Sequence, residues 1–292
     1  MKRCAFLSTD NLEGYFVYDE LLYAPLKHVG WDVEAVSWHD TKVDWNRFDV
    51  VVVRSTWDYQ QHASAFMQCL ERIDESQAVL ANSLRLLTWN ISKEYLKDIA
   101  SQGISIVPTI WLDTFDLAQV SAGFERFSCE KLVVKPCVSA NADDTYLLDR
   151  EQLLNQGKNL KTVFNGRAFM VQPFIEAVVT QGEYSLFYFN GHFSHAILKK
   201  PEQGDFRVQE EHGGSLQAVE PDEEMLTQAQ HTMASLPDDA LYARIDLLRY
   251  KNEYVVIEIE LIEPSLYFNM DDSSPANFVE AFVESFGKGV GA

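Results

Sequence analysis

Through the first part of the chain, short apolar runs alternate with longer stretches whose apolar residues recur every three or four positions. Cys4 to Leu7, Val33 to Ser37 and Val50 to Val53 have the length of strands. The last is four valines in a row, as expected of a strand buried on both faces beneath helices. Between the first two, Val17 to His28 carries Leu21, Leu22, Pro25 and Leu26 and stops at Gly30, which predicts a helix starting near Asp19 and Glu20. A second helix is predicted over His62 to Ile73. A third covers Asn90 to Ser101 on Ile91, Tyr95, Leu96 and Ile99, with Asn90 or Ser92 as its N-cap and Lys93 in its first turn. Strand and helix in alternation predict a parallel sheet. Ligands of such sheets bind beyond the carboxyl ends of the strands, here Ser8-Thr9-Asp10 and Arg54-Ser55-Thr56-Trp57-Asp58-Tyr59.

The second part changes texture to mostly antiparallel strands with a few helices. Asn190-Gly191, set between Tyr184 to Phe189 and His192 to Leu198, is the signal of a two-residue hairpin turn. The change falls near residue 105, around Gly103 to Pro108. His192 and His195, three apart in a strand, are expected on opposite faces and so do not form a metal pair. Phe278, Val279, Phe282, Val283 and Phe286 form a helical stripe that reads as core. The glycine-rich tail, Gly287 to Gly291, reads as a frayed terminus.

The chain has 292 residues, 24 Lys+Arg and 44 Asp+Glu, for a formal net charge of −20. With no Lys/Arg cluster longer than a pair, it would repel phosphate backbones and anionic membranes, which argues against a nucleic-acid or membrane partner. No apolar run approaches the roughly 20 residues of a membrane span. The stretch after Lys2-Arg3 is cut off by Ser8-Thr9-Asp10, too short for a signal peptide, so a cytoplasmic protein is expected. The length suits two or three compact units. Cys4, Cys69, Cys129 and Cys137 lack C-x-x-C spacing and read as free, mostly buried thiols.

The chemistry concentrates in Tyr242 to Asn269. Along Tyr254 to Ile262, simple alternation puts Glu258 and Glu260 on one face with Val256, about 6.7 Å apart, and Ile257, Ile259 and Leu261 on the other. A three-residue turn, Lys251-Asn252-Glu253, would set Asp246 opposite Glu258 and Arg244 opposite Glu260. A two-residue turn, Lys251-Asn252, would send Asp246 to the other face. In the first register three carboxylates form an oxygen-rich cluster suited to Mg²⁺ or Mn²⁺, with Arg244 beside it. The plain alternative is a solvated strand with a salt-bridged arginine. Arg-x-Asp before the glutamates and Glu263-Pro264-Ser265 after them favour the metal.

These residues resemble the ATP-grasp carboxylate–amine ligases, the family of glutathione synthetase and D-alanine:D-alanine ligase. Arg244-Ile245-Asp246 is similar to its A/G-R-[IV]-D strand. Glu258-Ile259-Glu260 followed by Pro264 is similar to its E-x-N strand, with Glu260 where asparagine is usual. Lys131 to Pro136 looks like the strand whose lysine grips nucleotide phosphates, making Lys135 the match, and Lys93 resembles the other phosphate lysine. Phe169-Met170-Val171-Gln172-Pro173-Phe174-Ile175 looks like the adenine-reading hinge, giving Gln172, Pro173, Phe174 and Ile175 as nucleotide contacts, and Glu183 resembles the ribose acid. Arg207, ahead of His212-Gly213-Gly214, is similar to the arginine that faces the γ-phosphate. The family's phosphate loop is glycine-rich. Here it is Cys137-Val138-Ser139-Ala140-Asn141-Ala142-Asp143-Asp144, without a glycine, and Ser139 is its donor.

The resemblance implies a fold that is both α/β and α+β: a parallel-sheet domain over 1–105, an ATP-grasp lid subdomain over 106–174 and a large subdomain over 175–292 that holds ATP and Mg²⁺. It implies an ATP-dependent ligase that joins a carboxylate to an amine through an acyl phosphate, with Arg244 and Arg207 as catalytic residues and Asp246, Glu258 and Glu260 on the metal. Members of that family are often dimers or tetramers, which leaves a homodimer open, and no surface in the sequence declares itself. Asp10, Arg54, Ser55, Thr56, Trp57, Asp58 and Ser265 would hold a small amino-acid-like substrate, arginine meeting its carboxylate and aspartate its ammonium. The R-S-T-W-D-Y and E-L-I-E-P-S-L stretches look like the cyclo-ligases that close an ureido-serine into cycloserine. The alternative is a silent nucleotide-binding regulator, suggested by the glycine-free loop.

Overall fold

The computed structural model describes residues 1–287, so the tail beyond Gly287 lies outside the described residues. Three sheets organise the chain. The N-terminal sheet is parallel, in the order β2 (Trp31–Ser37), β1 (Lys2–Ser8), β3 (Val50–Ser55), β4 (Val79–Ala81). Its strands alternate between two apolar layers: Cys4, Phe6, Val50 and Val52 on one side, Ala5, Leu7, Val51 and Val53 on the other. The helix Ala63–Asp74 covers the second layer through Phe66, Cys69, Leu70 and Ile73. The first layer meets the helix Tyr23–His28 and the C-terminal helix Ser274–Phe286, whose Phe278 and Phe282 are fully buried. That double coverage is why strand β3 tolerates an all-valine run.

The middle sheet, antiparallel, runs β5 (Ile110–Leu112), β8 (Phe169–Pro173), β6 (Leu132–Pro136), β7 (Tyr146–Leu148). The C-terminal sheet, also antiparallel, runs β11 (Ser215–Ala218), β10 (His192–Lys200), β9 (Glu183–Phe189), β12 (Tyr242–Tyr250), β13 (Glu253–Glu260). One of its faces packs on the helices Leu84–Asn90, Tyr95–Ser101 and Glu223–Ala234. Its other face is apolar where Phe187, Phe189, Tyr242 and Ile197 lie under the N-terminal unit, and charged beyond.

Four local expectations are corrected. The Val17–His28 segment is a 3-10 turn, Asp19–Leu22, feeding the helix at Tyr23. The helix expected over Asn90–Ser101 is two, because Ser83 caps the first one early and Asn90 ends it. The Asn90 side chain is drawn to β13, donating to Ile259 O and accepting from Leu261 N, so it caps nothing, and Lys93 falls in the turn between the helices. In β10 a bulge between Phe193 and His195 sets His192 opposite Phe189 and His195 opposite Phe187, so the two histidines share a face by register instead of opposing. His195 is buried flat against Phe187 while His192 is exposed. The fourth lies in the β12–β13 hairpin and decides the site.

Candidate active site

The β12–β13 turn has two residues, Lys251 and Asn252, with Tyr250 opposite Glu253. By alternation alone this would put Asp246 on the face away from the glutamates. A β-bulge at Ile257 inserts one extra residue and restores the pairing of Asp246 with Glu258 and Arg244 with Glu260. The same bulge moves Val256 to the core face, where it is fully buried beside Leu247 and Ile259, and brings Ile257 to the cleft side. Strand β13 is the edge of its sheet. Its exposed backbone is closed by side chains and a single bridge: Asn90 and Tyr95 bind the 259–261 backbone, and Val256 is bracketed by Ser105 and Val107.

On this floor the charged side chains pair with one another. Arg244 grips Asp246 with two nitrogens, Nε at 3.0 Å and Nη2 at 2.9 Å, and also pairs with Glu260. Lys199 lies between Glu183, at 2.5 Å, and Asp246, at 3.3 Å. The Ser185 hydroxyl donates to Asp246 at 2.5 Å. Lys93 meets Glu258 at 2.9 Å and donates to the Ser139 carbonyl at 2.7 Å. Burial pushes the Asp246 carboxyl up, but Arg244 and Lys199 outweigh it and hold it at about 2. Burial pushes Glu260 up to about 7 even beside Arg244, because Glu258 and Asp246 repel it, and Glu263 to about 8, with Glu260 adding to the effect. Burial lowers Lys135, and Glu258 only partly restores it.

The three-carboxylate metal cluster is therefore not assembled as expected. Among the described residues no group of three or more His, Cys, Asp or Glu side chains converges as a metal would require. Both Asp246 oxygens are taken by Arg244, Lys199 and Ser185. Glu258 and Glu260 keep about a quarter of their side chains exposed to the cleft, 26% and 25%. The donor set still suits a hard divalent ion. The cleft is lined by five basic residues (Lys93, Lys135, Lys199, Arg207, Arg244) and six acidic ones (Glu183, Glu211, Asp246, Glu258, Glu260, Glu263). Four of the acids are already paired with Lys93, Lys199 or Arg244, so a polyphosphate would meet few uncommitted cations without a metal of its own.

The roof comes from the middle sheet. Lys135 on β6 points into the cleft and forms no ion pair among the described residues, and the buried Gln172 amide on β8 donates to Thr109 at 3.0 Å. Pro173, Phe174 and Ile175 line the cleft where β8 ends. The loop after β6 takes left-handed backbone at Asn141, Ala142 and Asp144, with φ of 52°, 58° and 51°, so it follows the kind of path glycines would permit. Its acids turn away: Asp143 accepts from Gln60 and Asp144 pairs with Arg167, while Ser139, Ala140, Asn141, Ala142 and Thr145 face inward.

The N-terminal wall departs from the sequence reading. Asp10 is exposed and outside the cleft. Arg54 is 2% exposed; its Nε and Nη2 are engaged by Asp19, at 3.0 and 2.8 Å, with the Ser55 hydroxyl on the same carboxylate, while its Nη1 is buried without a partner. Thr56 is fully buried. Asp58 accepts from Trp38 Nε1 at 2.7 Å, contacts His39 Nε2 at 2.7 Å and bonds Thr9, tying three strand ends together instead of meeting an ammonium. Of that run, Trp57 reaches the cleft, as does Ser265. Arg207 lines the cleft but clasps Asp205 at 2.7 Å.

Lys199, which nothing in the sequence singled out, and Glu263, noted there without an assigned role, also line the cleft. A plain Asn190-Gly191 hairpin places residue 198 opposite Glu183, and the bulge in β10 shifts Lys199 there. Glu263 had a visible signal, an acid inside an otherwise apolar strap before a proline.

Residues 4–82 match the family model described as the N-terminal domain of D-cycloserine synthetase DcsG. The cycloserine biosynthesis protein DcsG of Streptomyces lavendulae is 29% identical over 268 residues, covering 88% of this chain and 89% of that protein. The crystal structure of D-cycloserine synthetase DcsG superposes with a TM-score of 0.87 at 27% identity over 97% of this chain and 99% of that one. D-alanine–D-alanine ligase from Bacillus anthracis does so at 0.72 and 14% identity, over 99% and 98%.

Proposed function

We propose that this chain, an ATP-dependent carboxylate–amine ligase of the ATP-grasp fold acting on an amino-acid-like substrate, takes both reacting groups from one molecule and closes it into a ring, as an ureido-serine closes to cycloserine. The observation that carries this is the match of the substrate-side segment, residues 4–82, to the N-terminal domain of D-cycloserine synthetase. We assign ATP to the cleft between the β6–β8 roof and the β12–β13 floor, with 1–105 as the substrate-side domain, 106–174 as the lid and 175–292 as the phosphate side.

In this reading the substrate carboxylate attacks the γ-phosphorus of ATP, ADP leaves, and the nucleophilic nitrogen, giving up its proton, then displaces phosphate from the acyl carbon. On an ureido-serine the ring nitrogen still carries its carbamoyl group, which water removes as carbon dioxide and ammonia. Lys135, which lines the cleft and has no ion pair among the described residues, reaches the phosphates directly. Lys93 exchanges its contacts with Glu258 and Ser139 for a phosphate oxygen. Arg244, anchored by Asp246, turns its remaining charge to the transferring group and to the tetrahedral oxyanion. Backbone N–H groups of the 139–142 loop cover the phosphates. Glu258 and Glu260 would hold Mg²⁺, or Mn²⁺, which offsets phosphate charge when bound. Asp246 joins them only if Arg244 or Lys199 releases an oxygen.

The test is ADP release with a single amino acid present. O-ureidoserine alone, in one enantiomer, is expected to support turnover. A strict requirement for a second amino acid would sink the cyclisation and leave an intermolecular ligase.

A further inference from the structure

The two stretches R-S-T-W-D-Y and E-L-I-E-P-S-L, distant in sequence, are in contact. Five successive carbonyls of the strap 262–266 each meet a different side chain. Tyr242 Oη lies 2.9 Å from Ile262 O, Trp57 Nε1 donates to Glu263 O at 2.9 Å and Arg54 Nη2 to Pro264 O at 3.2 Å. Arg244 Nη1 donates to Ser265 O at 3.4 Å, and His195 Nε2 reaches Leu266 O at 3.1 Å. A segment without secondary structure is thereby fixed over its whole length by groups that are themselves buried. Such pinning fixes where the side chains of the strap point, and Glu263 and Ser265 point into the cleft.

Glu263 differs from the other buried and half-buried acids there, Glu211 being exposed. Glu183, Asp246, Glu258 and Glu260 each hold a basic side chain. Glu263 takes part in no ion pair among the described residues, yet its residue is 92% removed from solvent, being 8% exposed. Burial keeps such a carboxyl protonated until a cation arrives beside it, so it is placed to ionise against a cationic group of a ligand. It sits on the N-terminal side, against Trp57 and Tyr59, with Lys93 near enough to act on it.

We propose that Glu263 is the specificity-determining residue that receives the α-ammonium of the amino-acid substrate, and that Arg54 and Trp57 are positioning residues that hold it there through the strap carbonyls. This rests on the amino-acid ligase reading and assigns to Glu263 the role that the sequence had suggested for Asp58, while Arg54 acts on the protein's own backbone and not on the substrate. The aromatic side chains beside Glu263 suit an ammonium, and the adjacent Ser265 hydroxyl suits the substrate's polar backbone.

The test is calorimetric titration of the full chain saturated with Mg²⁺ and a non-hydrolysable ATP analogue. The probes are both enantiomers of O-ureidoserine and of alanine, each against the same acid lacking its α-amine. The amine should improve Kd by about tenfold or more in wild type, the scale of a hydrogen bond to a charged group. That advantage should vanish in Glu263→Gln while the nucleotide Kd stays within about twofold. Trp57→Phe, which keeps the ring and removes the donor, should reduce it in the same direction. Equal binding with and without the amine in wild type, an advantage retained in Glu263→Gln, or a Glu263→Gln defect in Mg²⁺·nucleotide binding instead, would each overturn the assignment. An amine advantage on alanine but not on O-ureidoserine would sustain Glu263 and reject the cyclisation. No binding of any amino acid rejects both.

Discussion

Ala142 holds a backbone φ of 58°, with Asn141 at 52° and Asp144 at 51° on either side of Asp143. Left-handed backbone costs an L-residue roughly 1–2 kcal/mol, and asparagine and aspartate bear it better because their side chains bond locally. Alanine has no such recourse. Ala142→Gly should therefore stabilise the protein, by about 1 kcal/mol once the greater freedom of glycine in the unfolded chain is subtracted. For a chain of this size that is a rise of roughly 2–4 °C in melting temperature, read by calorimetry. An unchanged or lower value would mean that the loop does not take this path in the free protein. The same geometry answers the concern that a glycine-free loop could not cover phosphate: the conformation is reached with ordinary residues, and the two acids are turned outward onto Gln60 and Arg167.

Among elements, the two β-bulges decide the site. Both hairpins announce themselves through turn residues, Asn190-Gly191 and Lys251-Asn252, and alternation predicts which residues face the cleft until a bulge intervenes. Glu258 and Glu260 were legible because they and the residues they meet, Asp246 and Arg244, all lie beyond the bulge at Ile257. Val256 was misplaced because it lies on the turn side of it. Lys199 was invisible for the same reason in β10. Bulges have no reliable residue signature in a single sequence, whereas the all-valine β3 and the phenylalanine stripe of the last helix do. Arg54 and Asp58 misled because burial decides whether a charged side chain serves the fold or the ligand, and residue type alone does not report burial. Gly182 tests the importance of strand spacing here. It precedes Glu183 with φ of +105°, and a Cβ there would come within 2.6 Å of Leu198 Cδ1 and 2.7 Å of the Lys199 carbonyl. Gly182→Ala should push β9 from β10, separate Glu183 from Lys199, and lower the melting temperature by several degrees, with the affinity for Mg·ATP falling by about tenfold or more. Full nucleotide affinity in the variant would show that the Glu183–Lys199 pair has no part in the nucleotide site.

At the scale of the molecule, the cleft exists because three sheets are held in one arrangement. Asn82, just past β4, donates to Tyr242 O at 3.0 Å and Leu261 O at 2.9 Å and accepts from Leu241 N at 2.6 Å, joining the N-terminal sheet to the floor. The roof loop reaches back through Gln60 to the N-terminal unit, and His212 Nε2 lies 3.4 Å from the Asn141 carbonyl. A ligand gripped from floor and roof binds this arrangement and not the unfolded chain, so it must raise the melting temperature by mass action. At about 100 times its Kd the gain is about 2.7 kcal/mol, or roughly 5–10 °C. Mg·ATP should produce that shift in wild type. Glu258→Ala/Glu260→Ala should abolish it. Because that pair also removes an ion pair from Lys93 and one from Arg244, its own melting temperature will change, and the difference with and without nucleotide is the quantity to read. Lys135→Ala supplies the control. Lys135 is buried without an ion pair among the described residues, so its removal strands no partner there, and the variant should melt no lower than wild type while losing most of the nucleotide shift. A full shift in both variants would place the nucleotide outside the β6–β13 cleft. A shift lost in the glutamate pair but intact in Lys135→Ala would mean that the floor carries the phosphates without the roof.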